Sequence, residues 1–402
     1  MMDLEILQTL TKSAETKIVF LIIDGIGGIP RPSDNKTELE AAYTPNLDIL
    51  AKKGICGLQQ PVGSGLTPGS GPGHLAIFGY DPFKYKVGRG VLAASGIGFD
   101  LREGDVAARG NFCTIDTNCI VTDRRAGRIS TEKNNELCNL LKAITLPNID
   151  IYVETVKEHR FLLVLSGENL SGEITDTDPQ QTGKPPKQPK ALTLEADHTS
   201  RLLNEFINKA ATTLHDHHPA NMIILRGFST KPDWPTMQQT YKLRCAAIAG
   251  YPMYRGVSKL IGMDILQTSD SIHDKIATLE KQWNNYDFFY LHIKKTDSFG
   301  EDGDFEKKVS VIEETDAQLP RILALKPDVI LVTGDHSTPS LLKGHSWHPV
   351  PVLLSSKNCR ADTVEQFGER ACLNGGLGNR LPAIDLMPLA LAHAQRLDKY
   401  GA

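Results

Sequence analysis

The chain has 402 residues, 40% hydrophobic and 23% charged, and its 44 Lys and Arg nearly balance 48 Asp and Glu for a formal charge of −4. That balance excludes wholesale disorder and a fibrous repeat, and it gives no overall electrostatic pull toward nucleic acid. At about 150 residues per domain the length allows two or three domains.

Residues 1–17 lack the long apolar core of a signal peptide or membrane anchor, and no apolar run reaches the roughly 18 residues of a membrane span. The seven Cys (56, 113, 119, 138, 245, 359, 372) form no C-x-x-C pair, which argues against a disulfide framework and against a Cys-based zinc site. The expectation is a cytoplasmic protein with neither a membrane nor a nucleic-acid partner.

The first predicted strand, Ile18–Ile23 (IVFLII), is an apolar β-branched run that leads directly into Asp24-Gly25. A helix follows over residues 44–54 (TPNLDILAKKG), with Thr44 as cap, Pro45 in the first turn and Gly54 as stop. Residues 67–82 (TPGSGPGHLAIFGYDP) read as a Gly/Pro-rich loop carrying Ser70, then a helix start. From about 103 to 234 the runs are short and alternating (161–165, 222–225), with a Pro/Gly/Lys/Gln loop at 178–190 and a linker at 229–236. Arginines gather in this stretch: Asp123-Arg124-Arg125-Ala126-Gly127-Arg128, His159-Arg160 and Arg226-Gly227. Beyond it lie a strand at 288–293 running into Lys294, Lys295, Thr296 and Asp297, and a helix at 305–325 with a kink expected at Pro320. A strand at 329–332 leads into Thr333, Gly334, Asp335 and His336, and His345 and His348 precede a strand at 350–354. Pro351 argues for an edge or strand-start position there.

Strands alternating with helices imply an α/β fold with a mostly parallel sheet flanked by helices. The different middle implies a smaller inserted α/β or α+β domain. The expected division is residues 1–103 with 235–402, interrupted by 104–234.

Open α/β sheets bind ligands beyond the carboxyl ends of their strands. One Asp there is ordinarily a helix cap, and His292, inside a strand, reads as a core or wall histidine. Three strands that deliver Asp to one edge, with His beside them, instead suit divalent ions, and two such sets suit a two-metal phosphoryl-transfer site. A hydroxyl at a helix start, as at Ser70, sits among free N–H groups that favour an anionic oxygen. The arginines suit a bidentate grip on phosphate and carboxylate.

Several long segments carry a resemblance. They include LIIDGIGG, AAYTPNLDILAKKGICGL, TPGSGPGHLAIFGYDP, DRRAGRIS, EITDTDP, TGDHSTP and HSWHPVPVLL. In these the sequence resembles the 2,3-bisphosphoglycerate-independent phosphoglycerate mutases of the archaeal-type form, within the alkaline phosphatase superfamily. The resemblance implies a metal-binding phosphatase-like domain interrupted by a phosphoglycerate-handling domain. It implies interconversion of 3-phosphoglycerate and 2-phosphoglycerate, with Ser70 as the nucleophile that carries a phosphoserine. One divalent ion is implied at Asp24, Ser70, Asp335 and His336, and a second at Asp297, His345 and residue 301. Of the two histidines in HSWHPVP, His345 is favoured, which leaves His348 structural. Where the wider family has Asp-x-x-Gly-His, this chain has Asp297-Ser298-Phe299-Gly300-Glu301, with Asp302 and Asp304 close by as substitutes. The harder carboxylate of Glu301 favours Mn²⁺ over softer ions, with Zn²⁺, Co²⁺ and Mg²⁺ as the alternatives. Arg124, Arg128, His159, Arg160 and Arg226 are the implied substrate grips, with Asp123 as acid/base. The alternatives are a phosphomonoester or phosphonate hydrolase on the same scaffold and a non-catalytic phosphometabolite sensor.

Overall fold

The structure, a computed structural model, describes residues 4–401. Residues 1–3 of the opening stretch lie outside the described residues. The chain divides into two compact units, one formed by residues up to Lys86 and from Trp234 onward, the other by Val87–Asp233. Thirteen described strands follow in chain order: β1 (Ile18–Ile23), β2 (Ile55–Gln60), β3 (Val106–Ile115), β4 (Val121–Asp123), β5 (Asp150–Lys157), β6 (Arg160–Ser166), β7 (Met222–Thr230), β8 (Cys245–Ile248), β9 (Asp264–Ile265), β10 (Phe288–Ile293), β11 (Val329–Thr333), β12 (Val350–Ser356) and β13 (Leu381–Pro382). No described helix is long and apolar enough to cross a membrane.

The first unit is built on an eight-stranded sheet in the order β13-β2-β12-β11-β1-β10-β8-β9. Every neighbouring pair is parallel except the two made by β12, which runs against β11 and β2. All residues of β1, β10 and β11 are buried, because helices cover both faces, and this is why they read as continuous apolar runs. On one face Val19, Leu21, Ile23, Phe289, Leu291 and Val332 pack with the helices Pro45–Ala51, Ile272–Gln282 and Phe305–Ala324. On the other, Phe20 meets Phe288 at 5.0 Å and Phe78 meets Tyr290 at 5.0 Å between ring centroids. The helix Phe305–Ala324 passes through Pro320 without a break. Pro351 is the second residue of β12, a strand inside the sheet rather than at its edge. It is tolerated because β12 pairs with β11 only from Leu353 onward, so the N–H missing at Pro351 leaves no gap in that ladder.

The second unit is α+β. Its five strands are all antiparallel, in the order β4-β3-β6-β5, with β7 on the other side of β3. The apolar faces of the helices Thr131–Leu141 and Asp197–Leu214 supply Leu137, Leu141, Leu202 and Phe206 to a core with Phe112, Phe161 and Leu225. Residues 87–103, expected in the first domain, lie in the second unit, where the helix Arg89–Ile97 packs on β3 and β7 and Gly90 lies against the Ala107 carbonyl.

Where the chain leaves the first unit and where it returns, aromatic residues meet. Tyr85 lies 5.6 Å from the Trp234 ring and 5.3 Å from Tyr80, and the Tyr80 hydroxyl donates to the Pro235 carbonyl at 2.7 Å.

Candidate metal centre and anion site

Ser70 is the first residue of the helix Ser70–Ile77, not part of the loop before it. Gly69 is the cap, and Pro72 occupies a first-turn position where the N–H it lacks would be unpaired in any case. The helix approaches the β11 end closely: a Cβ on Gly73 would sit 2.3 Å from the Asp335 carbonyl oxygen. Asp24, directly after β1, is followed by Gly25 at φ +63°, the left-handed turn that swings the chain away from the sheet. Asp297 and Glu301 lie four residues apart on the helix Lys295–Asp302, hence on the same face.

These elements bring two groups of donors together. Asp24, Asp335 and His336 form one, Asp297, His336 and His345 the other, and within each group the donor atoms lie within 4.8 Å of one another. His336 Nε2 is 3.4 Å from Asp24 Oδ1, 3.2 Å from Asp335 Oδ2 and 3.2 Å from Ser70 Oγ. Asp297 Oδ1 is 3.4 Å from His345 Nε2, and the His336 and His345 rings stack at 3.6 Å. His345 is aimed by its Nδ1, 2.9 Å from the Pro68 carbonyl. Glu301 stands at the exposed rim, 3.9 Å from His345 Nε2. Asp304 is not part of the cluster: it caps the next helix through the Lys307 N–H and pairs with the Lys307 ammonium. His348 bonds to Ser346 and belongs to neither group.

Asp24 and Asp335 are fully buried, and Asp24 Oδ1 and Asp335 Oδ2 have no hydrogen-bond partner. A buried carboxylate with an unpaired oxygen costs several kcal/mol unless a cation meets it. Convergent unpaired oxygens beside imidazole nitrogens therefore fit a divalent ion. Burial opposes ionisation of Asp297, but His345 and Lys294 outweigh it and hold its carboxyl well below the usual range. Burial likewise opposes charging of His345, and Asp297 reverses this, raising it to about 9.

Four neighbours were not identified as site residues from sequence. Lys294 lies 3.3 Å from Asp24 Oδ2 and pairs with Asp297. Tyr254 donates to Asp24 Oδ2. His74 lies 3.2 Å from Asp335 Oδ2, and its Nδ1 is 2.8 Å from the Ser70 carbonyl. His292, expected as a wall histidine, does line this wall, 3.3 Å from Asp24 Oδ2, and burial pushes its pKa down to about 4. Two of these had a signal: Lys294 directly follows a strand, and His74 is one helical turn from Ser70.

The arginines form a separate cluster in the second unit. Arg124 makes a two-pronged contact with buried Asp178 at 2.9 and 2.7 Å, and Arg226 lies 3.5 Å from Asp178 and 3.6 Å from Asp176. Arg109 stands directly opposite Arg226 across β3 and β7. Asp123 accepts the Arg125 N–H at 2.8 Å and the Gly127 N–H at 2.6 Å. It thereby holds a turn in which Ala126, Gly127 and Arg128 all have positive φ. Such strain outside glycine persists where the surroundings enforce it, commonly at functional sites. Arg128 is exposed and Arg160 lies 3.5 Å from Glu158. His159 is buried: desolvation, then Arg160, Arg125, Arg109 and Arg128, push it down to about 3, so it stays uncharged among cations.

The family model of 2,3-bisphosphoglycerate-independent phosphoglycerate mutase matches residues 51–221. A Thermus thermophilus protein named as a probable 2,3-bisphosphoglycerate-independent phosphoglycerate mutase is 51% identical, with all of both chains covered. A solved protein from Pyrococcus horikoshii superposes with a TM-score of 0.84 at 29% identity, covering 97% of this chain and 100% of that one. A cofactor-independent phosphoglycerate mutase from Thermoplasma acidophilum gives 0.71 at 30% identity, covering 94% and 100%. An identity of one residue in two, kept from end to end, does not stop at a shared scaffold: this chain is a member of the 2,3-bisphosphoglycerate-independent phosphoglycerate mutase family of isomerases.

Proposed function

We propose that the chain interconverts 3-phosphoglycerate and 2-phosphoglycerate in the cytoplasm through a phosphoserine on Ser70, using two divalent ions, with Mn²⁺ preferred. Asp24, Asp335 and His336 with Ser70 would hold one ion, and Asp297, Glu301 and His345 the other. Bound there, the ions supply positive charge that activates the Ser70 hydroxyl and offsets charge on the phosphoryl oxygens.

The chain's own groups do the rest. His336 Nε2 faces Ser70 Oγ at 3.2 Å and orients it. The first helical turn behind Ser70 presents N–H groups that favour phosphoryl oxygens. Lys294 offsets the charge of Asp24 and Asp297. In the second unit Arg124, Arg128, Arg160 and Arg226, with uncharged His159, are the proposed grips for substrate carboxylate and phosphate, and Asp123 the proposed acid/base. Ser70 Oγ gives up its proton and bonds to phosphorus as the bond from phosphorus to O3 breaks, and O3 takes up a proton. The O2 hydroxyl then loses its proton and attacks the phosphoserine, and Ser70 regains its hydroxyl.

The observation that carries this reading is the pair of donor groups meeting at His336 beside Ser70, with two buried carboxylate oxygens unpaired. The test is an enolase-coupled assay in Mn²⁺ without added bisphosphoglycerate. Steady formation of phosphoenolpyruvate from 3-phosphoglycerate is expected. Phosphate release without it would instead assign a hydrolase.

A further inference from the structure

His336 belongs to both donor groups, yet one imidazole must present a particular nitrogen to a particular ion. Thr338, two residues on, decides which. Its Oγ1 is 2.7 Å from Asp297 Oδ1 and 2.9 Å from His336 Nδ1. A hydroxyl has one proton to give, and a carboxylate oxygen only accepts. The proton therefore goes to Asp297, and the lone pair left on Oγ1 accepts the N–H of His336 Nδ1. That leaves His336 Nε2 bare, facing Asp24, Asp335 and Ser70.

Thr338 is itself held on every polar atom. Its N–H donates to the Gly27 carbonyl at 3.0 Å. Its carbonyl accepts from the fully buried Lys308 ammonium at 2.8 Å, and Lys308 also reaches the Gly27 carbonyl at 3.2 Å. The space for Oγ1 exists because residue 25 has no Cβ, which would lie 2.4 Å from it. The Lys308 ammonium also lies 3.7 Å from buried Glu38 Oε1, which offsets its burial, and both carbonyls it bonds belong to the loops that carry Asp24 and His336.

We propose that Thr338 is a positioning residue that fixes His336 with its proton on Nδ1, assigns Nε2 to the Asp24–Asp335 group, and couples that group to Asp297 through one hydroxyl. This rests on the two-ion reading above. It leaves the second ion with Asp297 and His345, so that Glu301 is needed as its third protein ligand.

The test titrates Mn²⁺ into the metal-free full-length wild type, Thr338→Ser and Thr338→Val by calorimetry, with thermal melts as a check of folding. Wild type and Thr338→Ser are expected to bind two ions alike, and Thr338→Val to bind one of them about 10–100-fold more weakly. In the Zn²⁺-loaded wild type, long-range proton–nitrogen spectra of labelled histidine, with His336 assigned by loss of its signals in His336→Gln, should show the proton on Nδ1. A Thr338→Val protein that binds both ions as tightly as wild type overturns the proposal, as does a Thr338→Ser protein as weak as Thr338→Val. So does a proton on Nε2, and this last readout decides the matter even where Thr338→Val does not fold. A wild type that binds no ion removes the two-ion reading, and the inference with it; two ions bound with Thr338→Val indifferent removes the inference alone.

Discussion

Replacing Gly73 with Ala separates helix propensity from packing, because the two effects have opposite signs. Gly73 lies inside the helix Ser70–Ile77, where Ala would ordinarily stabilise by about 0.5–1 kcal/mol. Here the new Cβ would meet the Asp335 carbonyl oxygen at 2.3 Å, its carbonyl carbon at 3.1 Å and its Cβ at 3.3 Å. The first two are backbone atoms at the end of a buried strand and cannot swing aside as a flexible side chain would. Overpacking of this kind costs about 1–3 kcal/mol, and 2.3 Å belongs at the upper end. A net loss of about 2 kcal/mol follows, and at about 2–4 °C per kcal/mol for a domain of this size the melting temperature drops by several degrees. The strained atoms belong to Asp335, so Mn²⁺ binding should weaken as well, by roughly tenfold if the shift matches the loss of an orienting contact. Thermal melts of metal-free protein and calorimetric Mn²⁺ titration measure the two effects. A Gly73→Ala protein that melts at or above the wild-type temperature and binds Mn²⁺ unchanged would refute the reasoning.

Ser70→Ala should abolish mutase turnover and the acid-stable phosphoenzyme formed from labelled substrate, and label retained on the variant would remove Ser70 as the nucleophile. Glu301→Ala should lower the bound metal, counted by plasma mass spectrometry, from two ions toward one, and unchanged stoichiometry would strike Glu301 from the ligands. His159 has a folded pKa of about 3 against an ordinary 6.5, so below about pH 6.5 the unfolded chain takes up a proton that the folded chain refuses. The associated stability is present above pH 6.5 and is lost as pH falls toward 3. Accordingly, His159→Gln should show a shallower fall of its urea midpoint from pH 6.5 to 4 than wild type, and parallel curves would count against a buried neutral His159.

The parts of the fold visible in the sequence are those whose burial is two-sided. β1, β10 and β11 are apolar at every position, and periodicity needs nothing more. β2 (ICGLQQ) escaped because Gln59 is fully buried although polar, its amide nitrogen donating to the Gly334 carbonyl at 2.8 Å, a partner 275 positions away. β8 (CAAI) is too short and too small-chained to stand out. Residues 89–97 fell within the expected first domain because nothing in their sequence says which sheet they cover. The acids after the strands were legible from the rule for parallel sheets. His345 obeys that rule only in reverse: it precedes β12, and it reaches the same edge because β12 is the strand that runs backward. Tyr254 had no signal, since its hydroxyl meets Asp24 through a fold contact between residues 230 positions apart.

The aromatic contact of Tyr85 with Trp234 has a consequence for how such a chain can be assembled and altered. The two points at which the polypeptide departs from the first unit and rejoins it are neighbours, so the first unit sees the whole of Val87–Asp233 as one long loop with its ends already together. Closing a loop costs entropy that grows only with the logarithm of its length. The second unit is thus tethered as a cassette: its length, sequence and internal fold can diverge while the sheet that bears Asp24, Asp335 and His336 keeps its register, and a short Gly-rich bridge from Lys86 to Trp234 would span the same gap.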